Sequence, residues 1–317
     1  MVEPPPIRIG TRASQLALTQ TGWVVRRLEA LGATVCVVPI TTGGDEGAAT
    51  PAPVRGGDGI FVRELEAALR CGRIDAAVHS LKDMPTDDSP GLMIACVPVR
   101  SMPWDVFVGR GPATLQTLPA NAVVGTSSIR RVALVRACRP DLRVEPVRGN
   151  VDTRLRRLDA GHYDGLILAG AGLERLGWSH RIGTVLRPDT FWPAVAQGAL
   201  AVQIRADDRA LAARLAPLDD ALTHRAVVAE RACLAALAGG CLAPIGAIAQ
   251  PVAGDRIRLG ACVLEDHGAG VTRVTASATL ETHEDDSALG RRVARSLLDA
   301  GAGPLLERMR HRHAPPG

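Results

Sequence analysis

The sequence is poor in lysine, in aromatic residues and in paired cysteines. Lys82 is the only lysine, and every other residue among the 37 Lys and Arg is arginine. A genomic bias toward arginine accounts for that in general. A lysine that survives it marks a site where a compact ammonium is wanted rather than a planar fork. Aromatic residues are 3% of the chain, with one tyrosine and three phenylalanines, which argues against a platform for stacking bases. A formal charge of +4 does not by itself imply a nucleic acid partner. No apolar run approaches the roughly 18 residues of a membrane span. The opening MVEPPPIRIG has no basic segment followed by an apolar stretch, so the cytoplasm is the expected compartment. The seven cysteines contain no CxxC pair, so neither a zinc knuckle nor a thiol redox motif is supported. None of the eight histidines stands in a metal-ligand set, and no metal is expected. Walker A and GxGxxG patterns are missing too, which disfavours a nucleotide.

What is present reads as an α/β protein. A chain of 317 residues exceeds one ordinary core and predicts two or three domains. Strands are expected at 7–10, 34–40 and 75–79, with helices over 13–31 (core candidates Leu16, Val24, Leu28 and Leu31) and 60–70 (Phe61, Leu65 and Leu69 on one face). Between them, 41–59 collects glycine, proline and threonine without periodicity and reads as a mobile lid. A second unit over about 100–198 alternates strands at 104–108, 122–125, 142–146 and 165–169 with helices at 129–138 and 151–160. Repeated strand-then-helix order predicts a mostly parallel sheet. Beyond about 220 the pattern becomes a helix (219–238), three strands (245–250, 256–264, 271–280) and a helix (285–300), a smaller α+β unit with a frayed tail at 311–317. Cys36, Cys96 and Cys262 sit in apolar contexts and read as core thiols.

Four segments carry candidate chemistry. Gly125-Thr126-Ser127-Ser128-Ile129-Arg130-Arg131 joins a strand end to a helix start. It reads as an anion nest or as a plain hydroxyl cap with solvent-facing arginines. In Arg148-Gly149-Asn150-Val151-Asp152-Thr153-Arg154, a glycine turn sets two arginines where forks can meet carboxylates. His79-Ser80-Leu81-Lys82-Asp83 offers a carboxylate at a strand end, able to stabilise a cation or relay a proton, or else an internal Lys82–Asp83 pair. Gly239-Gly240-Cys241 puts a thiol on a turn, with a helix C-cap and an incidental cysteine as the alternative. Ligands of open α/β sheets bind beyond the carboxyl ends of strands, where the first three segments fall. The arginines therefore predict a cleft for a carboxylate-rich small molecule.

These segments together resemble the hydroxymethylbilane synthase, or porphobilinogen deaminase, family. The likeness extends over Ile9–Ala17, Phe61–Glu66, Ala77–Asp83, Gly125–Arg131, Arg148–Leu158, Ala160–Asp164, Leu168–Gly177, Gln197–Leu200, Gly240-Cys241 and Pro244–Gly246. It implies a transferase that joins four porphobilinogen molecules with loss of ammonia and then releases hydroxymethylbilane. It implies a dipyrromethane cofactor on a thioether to Cys241, Asp83 as the catalytic aspartate, and a monomer. Positions matching those that bind cofactor or substrate are Arg12, Ser14, Ser80, Lys82, Thr126, Ser128, Arg130, Arg131, Arg148, Arg154, Arg175 and Gln197, with Gln20 nearby. The implied fold has two lobes like type II periplasmic binding proteins, 1–99 with 199–216 and 100–198, and a C-terminal α+β domain over 217–317 carrying the cysteine. The sequence departs from the family at Ala196, where glycine is usual, at Gln203, where an acid is common, and at Asp58, where a base is common. A non-catalytic solute-binding module would account for the arginines but not for Asp83 and the cysteine domain together.

Overall fold

The computed structural model describes residues 5–40, 60–237, 243–254, 256–268, 270–281 and 283–313. The expected lid at 41–59, the segment holding Cys241 and the last residues of the tail lie outside these. In chain order the strands are β1 (Ile7–Arg12), β2 (Val35–Ile40), β3 (Ala76–Ser80), β4 (Leu92–Cys96), β5 (Asp105–Gly109), β6 (Val123–Gly125), β7 (Arg143–Glu145), β8 (Gly165–Ala169), β9 (Thr184–Leu186), β10 (Leu200–Arg205), β11 (Ile245–Val252), β12 (Arg256–Asp266) and β13 (Val271–Thr279). The chain forms two compact units. One comprises Met1–Ser101 with Gly198–His224, the other Met102–Gln197 with Arg225–Gly317.

The first unit is built on a sheet of order β2-β1-β3-β10-β4. Strands β2, β1 and β3 run parallel, and β10 runs antiparallel to both β3 and β4. Ile9 on β1 is fully enclosed, and Val24 and Leu28 bring the helix Gln15–Ala30 down on the same core. Their spacing of four places both on one face. Ser14 starts that helix by accepting the Ala17 amide, the usual satisfaction of an orphan N–H. Leu31, expected in the core, is exposed because it follows the last helical turn. Leu65 and Leu69 of the helix Ile60–Arg70 are buried. Cys96 is buried as expected, but Cys36 is exposed. Strand β2 is an edge strand, so the apolar run around Cys36 is covered less than its composition suggests.

The second unit has a sheet of order β7-β6-β8-β5-β9. Here the expected mostly parallel sheet needs correction. Strands β6, β7 and β8 are parallel, as strands joined by helical crossovers must be, but β5 pairs antiparallel with β8 and β9. No helical crossover ties β5 to the strand beside it, so nothing fixes it parallel. The three-stranded antiparallel sheet β11-β12-β13 forms the expected meander. It does not keep a wholly separate core: Cys262 and Leu264 of β12 pack in one cluster with Phe107, Leu134 and Phe191.

Candidate functional site

In the first unit the candidate residues gather at the end of β3. The strand is buried through His79 and leads into a single 3-10 turn, Leu81–Asp83, closed by the Met84 amide on the Leu81 carbonyl at 3.2 Å. The Leu81 amide is tied to the Ala199 carbonyl at 3.1 Å, so a backbone bond at each end fixes the turn. Ser80 sits at its mouth, its hydroxyl 2.9 Å from the donating amide of buried Gln20. Lys82 is half-buried and Asp83 exposed. A carboxylate on a tightly fixed turn yet open to solvent can meet a cation without reorganising the backbone. Arg12 is half-buried at the end of β1, and Ser14 spends its acceptor on the helix cap.

In the second unit the arginines are arranged around a residue that sequence reading passed over. Asp105 opens β5 and is wholly buried. Its Oδ1 accepts Arg131 Nε at 3.0 Å and Nη2 at 2.7 Å, and its Oδ2 accepts Arg130 Nη1 at 2.8 Å. Arg131 also donates to the Ile167 carbonyl at 3.1 Å, and Arg130 to the Trp192 carbonyl. Neither arginine faces solvent, so the plain-cap reading fails for them. Of the hydroxyls, Thr126 accepts the Ser128 amide at 3.3 Å, Ser127 donates to the Val147 carbonyl at 2.8 Å, and Ser128 caps the helix Ile129–Cys138 on the Arg131 amide.

Gln197 also belongs to this cluster. It is fully buried, donates to the Pro103 carbonyl at 2.8 Å and to Asp105 Oδ1 at 3.0 Å, and accepts from Arg131 Nη2 at 3.4 Å. Its side-chain amide thus ties Asp105 and Arg131 to the chain at Pro103. A charged first residue on the otherwise apolar strand Asp-Val-Phe-Val-Gly is the signal that could have revealed Asp105. A carboxylate heading a buried strand has to be paired.

The electrostatics follow from two guanidinium groups sharing one carboxylate. Burial alone would raise the Asp105 carboxyl, but Arg130 and Arg131 hold it well below the usual carboxylate range. Burial lowers Arg130, against the pull of Asp105. Arg154 lies one turn into the helix Val151–Asp159, pinned by Nε on the Gly149 carbonyl at 2.8 Å. Gly149 makes that turn at φ 101°, a conformation that strongly favours glycine. Burial lowers Arg154, and the nearby charge of Arg131 lowers it further. Burial also takes Arg175 down to about 10. Arg148 is exposed. Among the described residues no group of three or more His, Cys, Asp and Glu side chains could hold a metal ion. Buried positive charge in excess of its carboxylate is a donor set suited to a polycarboxylate ligand.

Two family models match the chain. One, described as porphobilinogen deaminase, dipyromethane cofactor binding domain, matches residues 7–213; the other, porphobilinogen deaminase, C-terminal domain, matches residues 224–299. A porphobilinogen deaminase of Roseiflexus sp. (strain RS-1) is 46% identical over 300 residues, covering 94% of this chain and 97% of the relative. That of Acidothermus cellulolyticus is 46% identical over 305 residues, covering 95% and 91%. Among solved structures, an ancestral cationic amino acid solute binding protein has a TM-score of 0.42 at 14% identity, covering 67% of this chain and 87% of that one. A YaeC-family lipoprotein from Enterococcus faecalis has 0.41 at 14%, covering 69% and 93%. On the family models and full-length relatives, this chain belongs to the porphobilinogen deaminase family, and its reaction is the stepwise condensation of porphobilinogen on a dipyrromethane cofactor to form hydroxymethylbilane.

Proposed function

We propose that in this chain Asp83 serves the reacting ring, the arginines hold the carboxylates, and Cys241 anchors the cofactor. The observation that carries this reading is the surplus of buried positive charge: Arg130 and Arg131 on the single carboxylate of Asp105, with Arg154 close enough to feel Arg131. Each porphobilinogen ring brings an acetate and a propionate, so a lengthening chain adds two carboxylates at every step and calls for several forks. Arg12, Arg148 and Arg175 take further carboxylates, and Ser14, Ser80, Lys82, Thr126 and Ser128 serve as shorter-range donors.

When bound, the dipyrromethane supplies the free pyrrole α-carbon to which new rings are joined. Asp83 stabilises the positive charge that develops on a pyrrole nitrogen as ammonia leaves, and can move a proton there. The Cys241 thiolate would hold the cofactor through a thioether, made once by addition to a pyrrole methylene carbon that ammonia has left, and would not turn over in each cycle. We also read 217–317 as the domain carrying that cysteine, beside lobes of 1–99 with 199–216 and 100–198. A cytoplasmic address fits six described cysteines that are all free thiols. No helix among the described residues is long and apolar enough to cross a membrane.

Intact-mass analysis of the purified protein tests the anchor. One covalent dipyrrole adduct is expected on the wild type and none on Cys241→Ser. An unmodified wild type, even after supply of porphobilinogen, would remove Cys241 from this role.

A further inference from the structure

We infer that Glu230 is a positioning residue for the arginine cluster, acting through the turn at Ala196 and the amide of Gln197. The inference rests on the reading of Arg131 as a carboxylate-binding residue. Glu230 lies on the helix Ala221–Ala236, which leads in sequence into the segment holding Cys241, and it is fully buried. A carboxylate at that depth needs donors, and two backbone amides supply them. Its Oε2 accepts the Ala196 amide at 2.7 Å, and its Oε1 accepts the Ala249 amide of β11 at 2.8 Å.

Ala196 benefits from that hold. Its φ is 56°, in the left-handed region where a Cβ is strained, and it has no exposed surface through which to relax. The next residue is Gln197. A turn of Ala196 toward ordinary φ would swing the Gln197 amide away from Pro103 and Asp105, which it meets at 2.8 and 3.0 Å. Asp105 in turn orients Arg131 through Nε and Nη2. The path from Glu230 to Arg131 is thus a run of short contacts and one strained residue. Side chains whose rotamers are fixed by buried partners present their charge in one direction, which is what carboxylate recognition needs.

Glu230→Gln keeps the size of the side chain but turns an NH₂ group toward one of the two amides. The expected result in the full-length holoenzyme is a rise in the KM for porphobilinogen of about tenfold, with kcat within about threefold. A second readout is independent of turnover. In ¹⁵N-arginine NMR spectra, the Arg131 Nε–H bonded to Asp105 should lose its protection from exchange. Adding Ala196→Gly, whose residue takes positive φ without strain, should restore both signals in large part. Gln197→Met should reproduce both defects, and Ala196→Gly should not rescue them, because Gln197 lies beyond the turn. This second variant also serves if Glu230→Gln does not fold.

Unchanged KM and unchanged Arg131 protection in Glu230→Gln or in Gln197→Met would overturn the inference. So would loss of stability with no rescue by Ala196→Gly. Arg131→Gln separates the two readings. If it leaves KM and cofactor loading unchanged, the carboxylate role of Arg131 falls. If it raises KM while Glu230→Gln and Gln197→Met do not, only the positioning path falls.

Discussion

The His79 ring meets Gln203 inside the first sheet, with Nε2 3.1 Å from Oε1, while the Gln203 amide donates to Glu66 Oε1 at 3.0 Å. Since Oε1 can only accept, the ring carries its proton on Nε2. Glu66 is completed by the Ser89 hydroxyl at 2.5 Å and by Arg70. An acid at 203, common in the family, would set a second carboxylate against Glu66. Glutamine avoids that and leaves the ring neutral. Burial pushes His79 down to about 4, against the opposing pulls of Glu66 and Gln203. Unfolded, the ring titrates near 6.5. The unfolded chain therefore binds the extra proton between those values, so this contribution is complete above about 6.5 and is lost as pH falls toward 4. The loss is on the order of 3 kcal/mol. Urea midpoints at pH 7.5 and 4.5 should fall steeply for wild type and much less for His79→Gln. Parallel losses would show that the ring is not the source.

Asp105→Asn should be among the most destabilising single changes in the second unit. It preserves shape but leaves Arg130 and Arg131, both buried, without their carboxylate. Removing one member of a buried ion pair costs about 3–5 kcal/mol. Chemical unfolding at pH 7 reads this directly, and a loss under about 1 kcal/mol would mean that solvent reaches the arginines.

Gly246→Ala tests how the third sheet supports the same cluster. A Cβ at 246 would lie 2.5 Å from the Trp192 Cβ and 3.0 Å from the Pro193 carbonyl. Neither is the far end of a flexible side chain, so the Trp192 backbone must shift, and its carbonyl is the one Arg130 uses. Overpacking of this kind costs about 1–3 kcal/mol. The measurement is the urea midpoint together with the KM for porphobilinogen, and both should worsen. A fall in stability with KM unchanged would separate Trp192 from the ligand-binding arginines.

Much of the fold is legible in the sequence because its signals are local. The strand at 165–169 and the helix at 129–138 are recovered to the residue. What escapes depends on contacts distant in sequence. Strand β10 pairs with β3 and β4 from more than a hundred residues away, and only resemblance to a family places a return of the chain there. The direction of β5 is likewise set by the strands beside it rather than by its own residues. At the site, hydroxyls and arginines at strand ends stand out, but their partners do not. Asp105 and Glu230 are single acids in apolar surroundings, and periodicity says nothing about which donors they meet. Ala196 shows the reverse. Its place in a motif that usually has glycine is visible in the sequence, and the φ of 56° supplies the reason glycine suits it.

Asp83→Asn separates attachment of the cofactor from turnover. Asp83 is exposed on a turn held by the Leu81 and Met84 amides, and none of those backbone bonds involves its carboxylate. The substitution should leave the fold intact, with a urea midpoint close to wild type. Asparagine retains the size and one acceptor but lacks the negative charge needed to stabilise a pyrrole cation, and it cannot accept a proton at neutral pH. The dipyrrole adduct should therefore still appear by intact mass, while kcat falls roughly a hundredfold or more, the usual scale for losing a positioned acid–base group or a charge that stabilises the transition state. A single-turnover measurement with pre-loaded enzyme checks this without relying on product release. Turnover within about twofold of wild type would take the chemistry away from Asp83, and its fixed turn would then need another explanation.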